Sequence, residues 1–187
     1  MKEEFKLKVD DHVELLLPDE SHAGELFELT DTNREYLRAW LPWLDSNKYL
    51  QNTIDFIKFS RKQYSENVSL NLAVRHRGKL CGLIGFHRFD WRNHSTSIGY
   101  WLGESCQGKG LITRSCRVLL DYAFNHMGLN RIEIRCAPCN SKSRAVPERL
   151  GFTNEGVLRQ AEWLYDHYVD HVVYGMLRQE WLKTFEQ

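Results

Sequence analysis

The hexapeptide Gln-Gly-Lys-Gly-Leu-Ile at residues 107–112 constrains the fold of this chain more than any other segment. An apolar run at 98–102 precedes it, and a long amphipathic stretch at 111–127 begins within it. A strand that ends in glycines and passes directly into a helix leaves backbone N–H groups unpaired, at the positive end of the helix dipole. The segment therefore predicts an anion site suited to the diphosphate of a nucleotide-like cofactor. The alternative is a plain turn between a strand and a helix.

Composition narrows the class of protein. The 187 residues are enough for one domain with a full core, predicted to span residues 1–187, and 42% of them are hydrophobic. Lys plus Arg and Asp plus Glu both number 25, so the formal net charge is zero, and no basic stripe indicates direct nucleic-acid binding. The chain has neither an apolar run of about 18 residues for a membrane span nor an apolar signal sequence at its N-terminus. We therefore expect a cytoplasmic protein.

Cysteine and histidine spacings leave further possibilities open. Five cysteines without a signal sequence indicate free thiols in a reducing compartment rather than a disulfide framework. Cys136 and Cys139 have the spacing of a redox pair, which remains an alternative function. His167 and His171 are four residues apart, a spacing that suits a metal on a helix, but the valines around them predict a strand. No second cysteine pair is present for zinc, and we predict no metal site.

Hydrophobic periodicity divides the chain into helical and extended regions. Short turns join the extended segments from 70 to 102 into an antiparallel meander, and the strand, long helix and strand that follow indicate a parallel crossover. Strands are predicted within 5–17 and at 70–74, 80–89, 95–102, 131–136, 155–163 and 168–177. Helices are predicted to begin at Pro18 and Asn33, and to span 52–66, 111–127 and about 143–150.

Two details of the predicted helices can be tested by the structure. The helix at 111–127 should bury one apolar face, formed by Ile112, Cys116, Leu119, Leu120, Ala123 and Met127. Pro147 falls inside the short helix, where proline is tolerated only in the first turn because it removes a hydrogen bond and clashes with the preceding turn. We therefore expect this helix to begin late, near Ser143, or to be irregular.

The order of these elements, together with three motifs, resembles the GNAT superfamily of acetyl-CoA-dependent N-acetyltransferases. Residues 107–112 correspond to the central motif of that family, Arg/Gln-x-x-Gly-x-Gly/Ala, with Ile112 in the last position. Only the backbone N–H would be used at that position, so Ile112 predicts a crowded turn rather than a lost site. The second motif is Asn-x-x-Ser at 140–143 followed by Leu-Gly-Phe at 150–152.

The third motif is the run Glu-Gly-Val-Leu-Arg-Gln-Ala-Glu-Trp at 155–163. With Leu-Pro-Trp-Leu at 41–44, it is similar to the RimL-type ribosomal-protein N-terminal acetyltransferases, and most of all to their YdaF-like relatives in bacilli. The resemblance covers essentially the whole chain. It implies an α/β fold of the GNAT type, with a mixed, mostly antiparallel central sheet, a splayed strand pair and flanking helices. It also implies a homodimer.

The resemblance implies that acetyl-CoA binds along the glycine-rich segment and the strand before it. Backbone N–H groups would cradle the diphosphate, and the amide-rich pantetheine arm would follow an open strand edge where two strands splay apart. The residues implied in cofactor binding are Tyr100, Trp101, Leu102, Gln107, Gly108, Lys109, Gly110, Leu111, Ile112, Thr113, Asn140 and Ser143.

The implied reaction requires an amine to lose a proton and a thiolate to leave. A peptide α-amino group has a pKa of about 7.7–8.0, against about 10.4 for lysine, so a carboxylate acting through one water suffices for the former. The resemblance assigns that role to Glu162, whose alternative is an ordinary exposed strand carboxylate. Many family members protonate the thiolate with a tyrosine where this chain has Pro147. The resemblance offers Ser143 instead, although Ser143 could equally be a helix N-cap.

Aromatic residues near the start of the chain are candidates for the acceptor pocket. We predict that Trp43 and Tyr36 line it, whereas Trp40 is expected to pack in the core. The resulting hypothesis is an N-acetyltransferase acting on a protein N-terminal α-amine of the ribosomal-protein type. A small-molecule amine or antibiotic acetyltransferase and a non-catalytic coenzyme A sensor are the alternatives.

Overall fold

Eight strands form the framework of the protein in the computed structural model, which describes residues 5–183. They are β1 (Lys6–Lys8), β2 (Val13–Leu16), β3 (Leu70–His76), β4 (Lys79–Phe86), β5 (Ser95–Leu102), β6 (Arg131–Cys136), β7 (Thr153–Leu164) and β8 (His167–Leu177). One sheet contains them in the order β1-β2-β3-β4-β5-β6-β8-β7. Neighbouring strands are antiparallel except β5 and β6, which are parallel. The predicted meander, the crossover and the mostly antiparallel α/β architecture are confirmed.

Helices cover both faces of this sheet. They are α1 (Ala23–Thr32), α2 (Arg34–Arg38), α3 (Leu50–Ser65), α4 (Leu111–Asp121), α5 (Ser141–Arg149) and α6 (Arg178–Lys183), and α6 was not predicted. Helix α4 continues as a π-helical turn over Tyr122–His126, so its predicted extent is close to that observed. None of the helices within residues 5–183 is both long and apolar enough to traverse a bilayer.

The start of α3 was predicted at Asn52 and Thr53, and the structure corrects it. The helix begins at Leu50, with Tyr49 as the N-cap residue. Asn52 lies inside the first turn, where its side-chain oxygen accepts the N–H of Tyr49 at 3.0 Å. An asparagine can satisfy an unpaired N–H group from either side of a helix start, so its presence alone does not fix the first helical residue.

The main core lies between the sheet and α4. Five of the six residues predicted on the apolar face of that helix are buried, and Met127 is partly buried. They share one cluster with β-strand residues such as Ile98 and Ile134. On the opposite face, α1 and α3 cover a second cluster that includes Leu16, Ala73 and Leu83. The two clusters fix the sheet between layers of helices and leave the β5–β6 boundary as the place where a ligand could enter.

Strands β5 and β6 separate soon after they begin. They pair only over Ser95–Ser97 and Arg131–Glu133, after which β5 continues without a neighbour on that side. The N–H of Gly103 donates to Cys81 at 2.9 Å, so the odd-numbered residues of β5 turn their peptide groups towards β4. Tyr100 and Leu102 therefore turn their N–H and C=O groups into the gap. The predicted splayed pair is confirmed, and the backbone of Trp101 faces the other way.

Helix α5 begins at Ser141, so the predicted start near Ser143 is wrong. Its N-cap residue is Asn140, whose side-chain oxygen accepts the N–H of Ser143 at 3.1 Å. The alternative that Ser143 is itself the N-cap is therefore also wrong. Pro147 is buried well inside the helix, beyond the first turn. Proline has no N–H to donate to the carbonyl four residues earlier, and here the hydroxyl of Tyr100 donates to that Ser143 carbonyl instead, at 2.9 Å.

Candidate active site

A deep cleft lies where β5 and β6 diverge, between the start of α4, helix α5 and the end of the β7–β8 hairpin. Its volume is about 1610 Å³, larger than the roughly 300–1,000 Å³ of a typical small-ligand pocket, which leaves room for two molecules. All the residues predicted from the sequence to bind the cofactor, to catalyse or to contact the acceptor line this cleft, except Lys109. The fold thus gathers into one cleft residues that are far apart in the chain.

The glycine-rich loop presents unpaired donors to one end of the cleft. Gly108 and Gly110 have φ angles of 71° and 67°, a left-handed conformation that favours glycine. The first backbone bond of α4 joins the N–H of Arg114 to Gly110 at 3.1 Å. Within residues 5–183, no backbone or side-chain acceptor meets the N–H groups from Gly108 to Thr113. These donors lie at the positive end of the α4 dipole, an arrangement that fits a diphosphate.

Two residues of this loop differ from the pattern described above. Lys109 does not line the cleft, and Ile112 is larger than the Gly or Ala at the last motif position. The ammonium group of Lys109 donates to the carbonyl oxygen of Ser105 at 2.8 Å. Lys109 therefore contributes its backbone N–H, and not its side chain, to the row of unpaired donors. The Ile112 side chain is buried in the main core, which explains how a large residue is accommodated at the last motif position.

Tyr36 lines the cleft beside the glycine-rich loop. Its hydroxyl accepts a hydrogen bond from the side-chain amide of Gln107, and the Lys142 ammonium donates to the other atom of that amide at 3.0 Å. The same ammonium lies 5.9 Å from the centre of the Tyr36 ring. This network connects α2, the glycine-rich loop and α5, so Tyr36 lies next to the glycine-rich loop.

Ser143 belongs to a compact polar cluster deep in the cleft. Its hydroxyl lies 3.3 Å from the hydroxyl of Tyr100 and 3.2 Å from the sulfur of Cys136. Burial raises the pKa of the Tyr100 phenol well above its usual range, so this group stays protonated. The sequence had indicated only the backbone of Tyr100 as a binding element. Its hydroxyl was missed because nothing in the local pattern shows that it reaches Ser143.

The thiol of Cys136 argues against the redox alternative. Burial raises the pKa of this thiol, although the neighbouring hydroxyl groups of Ser143 and Tyr100 oppose that shift. Redox pairs depend on a low thiol pKa, and Cys139 is an exposed free thiol rather than a bonded partner. The pair therefore lacks the electrostatics that this chemistry requires.

An irregular stretch of β7 carries Glu162 into the opposite side of the cleft. Pairing with β8 shifts register between Leu158 and Glu162, and Gln160 within it has a φ of 49°. The N–H of Gln160 donates to the side chain of Asp170 at 2.7 Å, which stabilises the irregularity. The neighbouring residues of β7 are exposed, whereas the Glu162 side chain is 33% exposed and lines the cleft. Glu162 is therefore not an ordinary solvent-facing strand carboxylate.

Two histidines that were not predicted as site residues accompany Glu162. The imidazole of His171 lies 3.5 Å from its carboxylate and is 18% exposed. His87 contacts the hydroxyl of Ser97 at 2.8 Å. Enclosure by the cleft lowers the pKa of His87, the Arg135 guanidinium lowers it further, and Glu162 opposes both. The sequence analysis treated His167 and His171 as a possible metal pair or as solvated histidines, and no local pattern indicates that His171 lies beside Glu162.

At the end of the cleft opposite the glycine-rich loop, the hairpin turn contacts the segment after α2. The hydroxyl of Tyr165 donates to the carbonyl of Leu41 and accepts the N–H of Leu44. The ring of Trp43 lies 6.1 Å from that of Trp101, and both residues line the cleft. Trp40 also lines the cleft and is partly exposed, so its predicted place in the core is wrong. It lies in a loop after α2, where helical periodicity no longer indicates which side is buried.

Comparison with known proteins agrees with this geometry. The family described as "Acetyltransferase (GNAT) domain" matches residues 12–153. The chain is 38% identical over 180 residues to YdaF of Bacillus subtilis (strain 168), covering 95% of this chain and 97% of that protein. It is 33% identical over 178 residues to the ribosomal-protein-serine acetyltransferase of Escherichia coli (strain K12), covering 91% and 96%.

Solved structures of acetyltransferases have the same fold as this chain. The ribosomal L7/L12 α-N-protein acetyltransferase RimL in complex with coenzyme A superposes with a TM-score of 0.90 at 27% identity, covering 94% of this chain and 99% of that one. The microcin C7 self-immunity acetyltransferase MccE, in complex with acetyl-CoA and AMP, gives 0.88 at 32% identity, covering 91% and 95%. The chain thus belongs to the GNAT family of acetyl-CoA-dependent N-acetyltransferases.

Proposed function

We propose that this enzyme acetylates the α-amino group of a protein N-terminus, with Glu162 as general base and Ser143 as hydrogen-bond donor to the leaving thiolate. The observation that supports the proposal is that Glu162 and Ser143 line the same cleft as the unpaired N–H groups of the glycine-rich loop. A carboxylate, a hydroxyl and an anion site in one cleft are what direct transfer from a thioester to an amine requires.

Acetyl-CoA supplies the acetyl group in activated form, and residues of this chain suit its successive parts. The N–H groups from Gly108 to Thr113 suit the diphosphate. The free peptide groups of Tyr100 and Leu102 suit the amides of the pantetheine arm. The side-chain oxygen of Asn140 is occupied by the N–H of Ser143, so its amide hydrogens are what it can offer to the arm.

Glu162 matches the proton-transfer requirement of an N-terminal amine. Such an amine has a pKa of about 7.7–8.0, close enough to neutrality that a carboxylate can take its proton through one water. When protonated, His171 can form an ion pair with Glu162 at the observed 3.5 Å, which orients the carboxylate within the cleft. The base can thus be held in place without being removed from solvent.

The class of acceptor rests on the relatives. Two of them are named for acetylating a ribosomal-protein serine and the α-amine of L7/L12. A small-molecule amine is the second candidate, favoured by the aromatic wall that Trp43 and Trp101 form in the cleft, since an aromatic face can stack on a flat ligand. We also propose a cytoplasmic location, where such acceptors are made.

A homodimer remains a further proposal, supported by β7 as an edge strand with Val157 53% exposed, and sedimentation equilibrium would test it.

Thiol release from acetyl-CoA tests the assignment. The acceptors would be peptides with a free N-terminus, the same peptides with a blocked N-terminus and a free lysine, and small amines. We expect release only with the first group. Release with small amines alone would favour the second candidate, and tight coenzyme A binding without release across the panel would favour a sensor.

The same assay tests the base. Glu162→Gln should lower kcat roughly 10²- to 10⁴-fold with unchanged acetyl-CoA affinity. Glu155→Gln, a carboxylate on the same strand that does not line the cleft, is the matched control and should leave kcat as it is. Normal turnover in Glu162→Gln would remove this residue from the mechanism.

A further inference from the structure

One backbone carbonyl inside helix α5 lacks its regular hydrogen-bond donor. In an α-helix the carbonyl of residue i accepts the N–H of residue i+4. Pro147 stands four residues after Ser143 and has no N–H, so the Ser143 carbonyl lacks its regular i+4 donor. A partly buried carbonyl left without a donor would be unfavourable, so another group must supply the bond.

Tyr100 supplies it from a different element. Its hydroxyl, at the end of a β5 side chain, donates to the Ser143 carbonyl at 2.9 Å. With its hydrogen committed there, the phenol oxygen is free to accept, and the Ser143 hydroxyl lies 3.3 Å away in position to donate. The Tyr100 hydroxyl thus bonds to both the backbone carbonyl and the side-chain hydroxyl of Ser143. The Cys136 sulfur at 3.2 Å bounds the Ser143 hydroxyl on a further side.

We infer that Tyr100 is the positioning residue of Ser143, which it holds through the Ser143 hydroxyl and through the carbonyl that Pro147 leaves without its i+4 donor. The inference rests on the proposed role of Ser143 as donor to the thiolate. Held by Tyr100, the Ser143 hydroxyl has a defined orientation at the cleft wall. Rotation about its C–O bond turns the hydrogen from the phenol oxygen towards an anion in the cleft. No proton leaves the phenol, in agreement with the burial that keeps it protonated.

Tyr100 could instead serve only the stability of α5, and a pair of substitutions can separate that role from the positioning of the Ser143 hydroxyl. Tyr100→Phe removes the donor to the Ser143 carbonyl and the acceptor for the Ser143 hydroxyl together. Pro147→Ala provides an N–H four residues after Ser143 and so restores the carbonyl bond alone. The double variant Tyr100→Phe/Pro147→Ala therefore repairs the helix and leaves the hydroxyl unheld. It also remains usable if Tyr100→Phe by itself unfolds.

The experiment measures Tm, the coenzyme A dissociation constant and kcat for the two single variants, the double variant and Ser143→Ala. We expect Tyr100→Phe to lower both Tm and kcat, and the double variant to regain Tm while kcat stays roughly tenfold or more below that of the unmodified enzyme. Pro147→Ala alone should keep kcat within about twofold, because a carbonyl oxygen can accept two bonds. Adding Ser143→Ala to the double variant should lower kcat no further than Ser143→Ala does alone.

Two outcomes would overturn the inference, and they differ in what else they overturn. If the double variant regains kcat along with Tm, Tyr100 serves only the helix, and the proposed role of Ser143 stands. If Ser143→Ala has the kcat of the unmodified enzyme, the proposed role of Ser143 fails, and the positioning of that residue fails with it.

Discussion

Gly108 and Gly128 form a matched pair that tests how the cofactor is held. Both glycines have left-handed backbones, with φ angles of 71° and 69°, and a Cβ built on either would meet no atom within 4 Å. Gly108 lines the cleft in the glycine-rich loop, whereas Gly128 follows the π-helical turn after α4 and does not line the cleft. Substitution by alanine therefore imposes the same backbone cost at both positions but affects the cofactor at only one.

The expected stability loss follows from the backbone alone. A non-glycine residue in the left-handed region costs roughly 1–2 kcal/mol. For a domain of this size, 1 kcal/mol corresponds to a Tm decrease of roughly 2–4 °C. Since neither site adds a steric clash, Gly108→Ala and Gly128→Ala should both lower Tm by about 2–8 °C.

The affinities should differ. If the N–H groups from Gly108 to Thr113 bind the diphosphate, a methyl group at Gly108 displaces the anion or turns the loop, and at least one charge-assisted hydrogen bond is lost. Such a bond contributes about 1.5–3 kcal/mol, which corresponds to roughly 10- to 150-fold weaker binding. Calorimetric titration with coenzyme A should show that loss for Gly108→Ala and none for Gly128→Ala. Equal affinities in the two variants would refute the assignment of the diphosphate to this loop.

Two further perturbations test other parts of the structure. The guanidinium of Arg131 holds the pKa of Glu155 below its usual 4.5, so the stabilisation is present above that pH and is lost as pH falls through the lower folded pKa. Glu155→Gln should therefore flatten the decline of Tm with acidification below about pH 5, and an unchanged acid slope would contradict the ion pair's contribution. Tyr165→Phe removes the bonds that join the hairpin turn to Leu41 and Leu44, so we expect a stability loss of about 1 kcal/mol and a higher KM for the acceptor at unchanged acetyl-CoA affinity. Tyr168→Phe, at a 58% exposed position, is the control, and equal acceptor KM values in the two variants would exclude a role for the turn in acceptor binding.

The sequence predicted most of the elements because their signals are local. Alternation and turn residues delimit β5, and the apolar spacing from Ile112 to Ala123 identifies the face of α4 that is buried. The glycines at 108 and 110 also act locally, since a left-handed backbone followed by a helix start leaves N–H groups free whatever surrounds them. Boundaries were less reliable, as at Asn52 and at Asn140, because a capping side chain can stand before a helix or within its first turn.

What the sequence by itself determined is therefore the glycine turn with its unpaired N–H groups and the strand–helix–strand unit that carries it. Only the tertiary structure decided how far β5 and β6 separate, that Trp40 faces the cleft, and that His171 stands beside Glu162. It also decided that Pro147 is tolerated, because the missing bond is replaced by Tyr100 from a strand 43 residues before Ser143. Periodicity describes neighbours within one element, whereas these contacts depend on how separate elements pack, which no short stretch of sequence specifies.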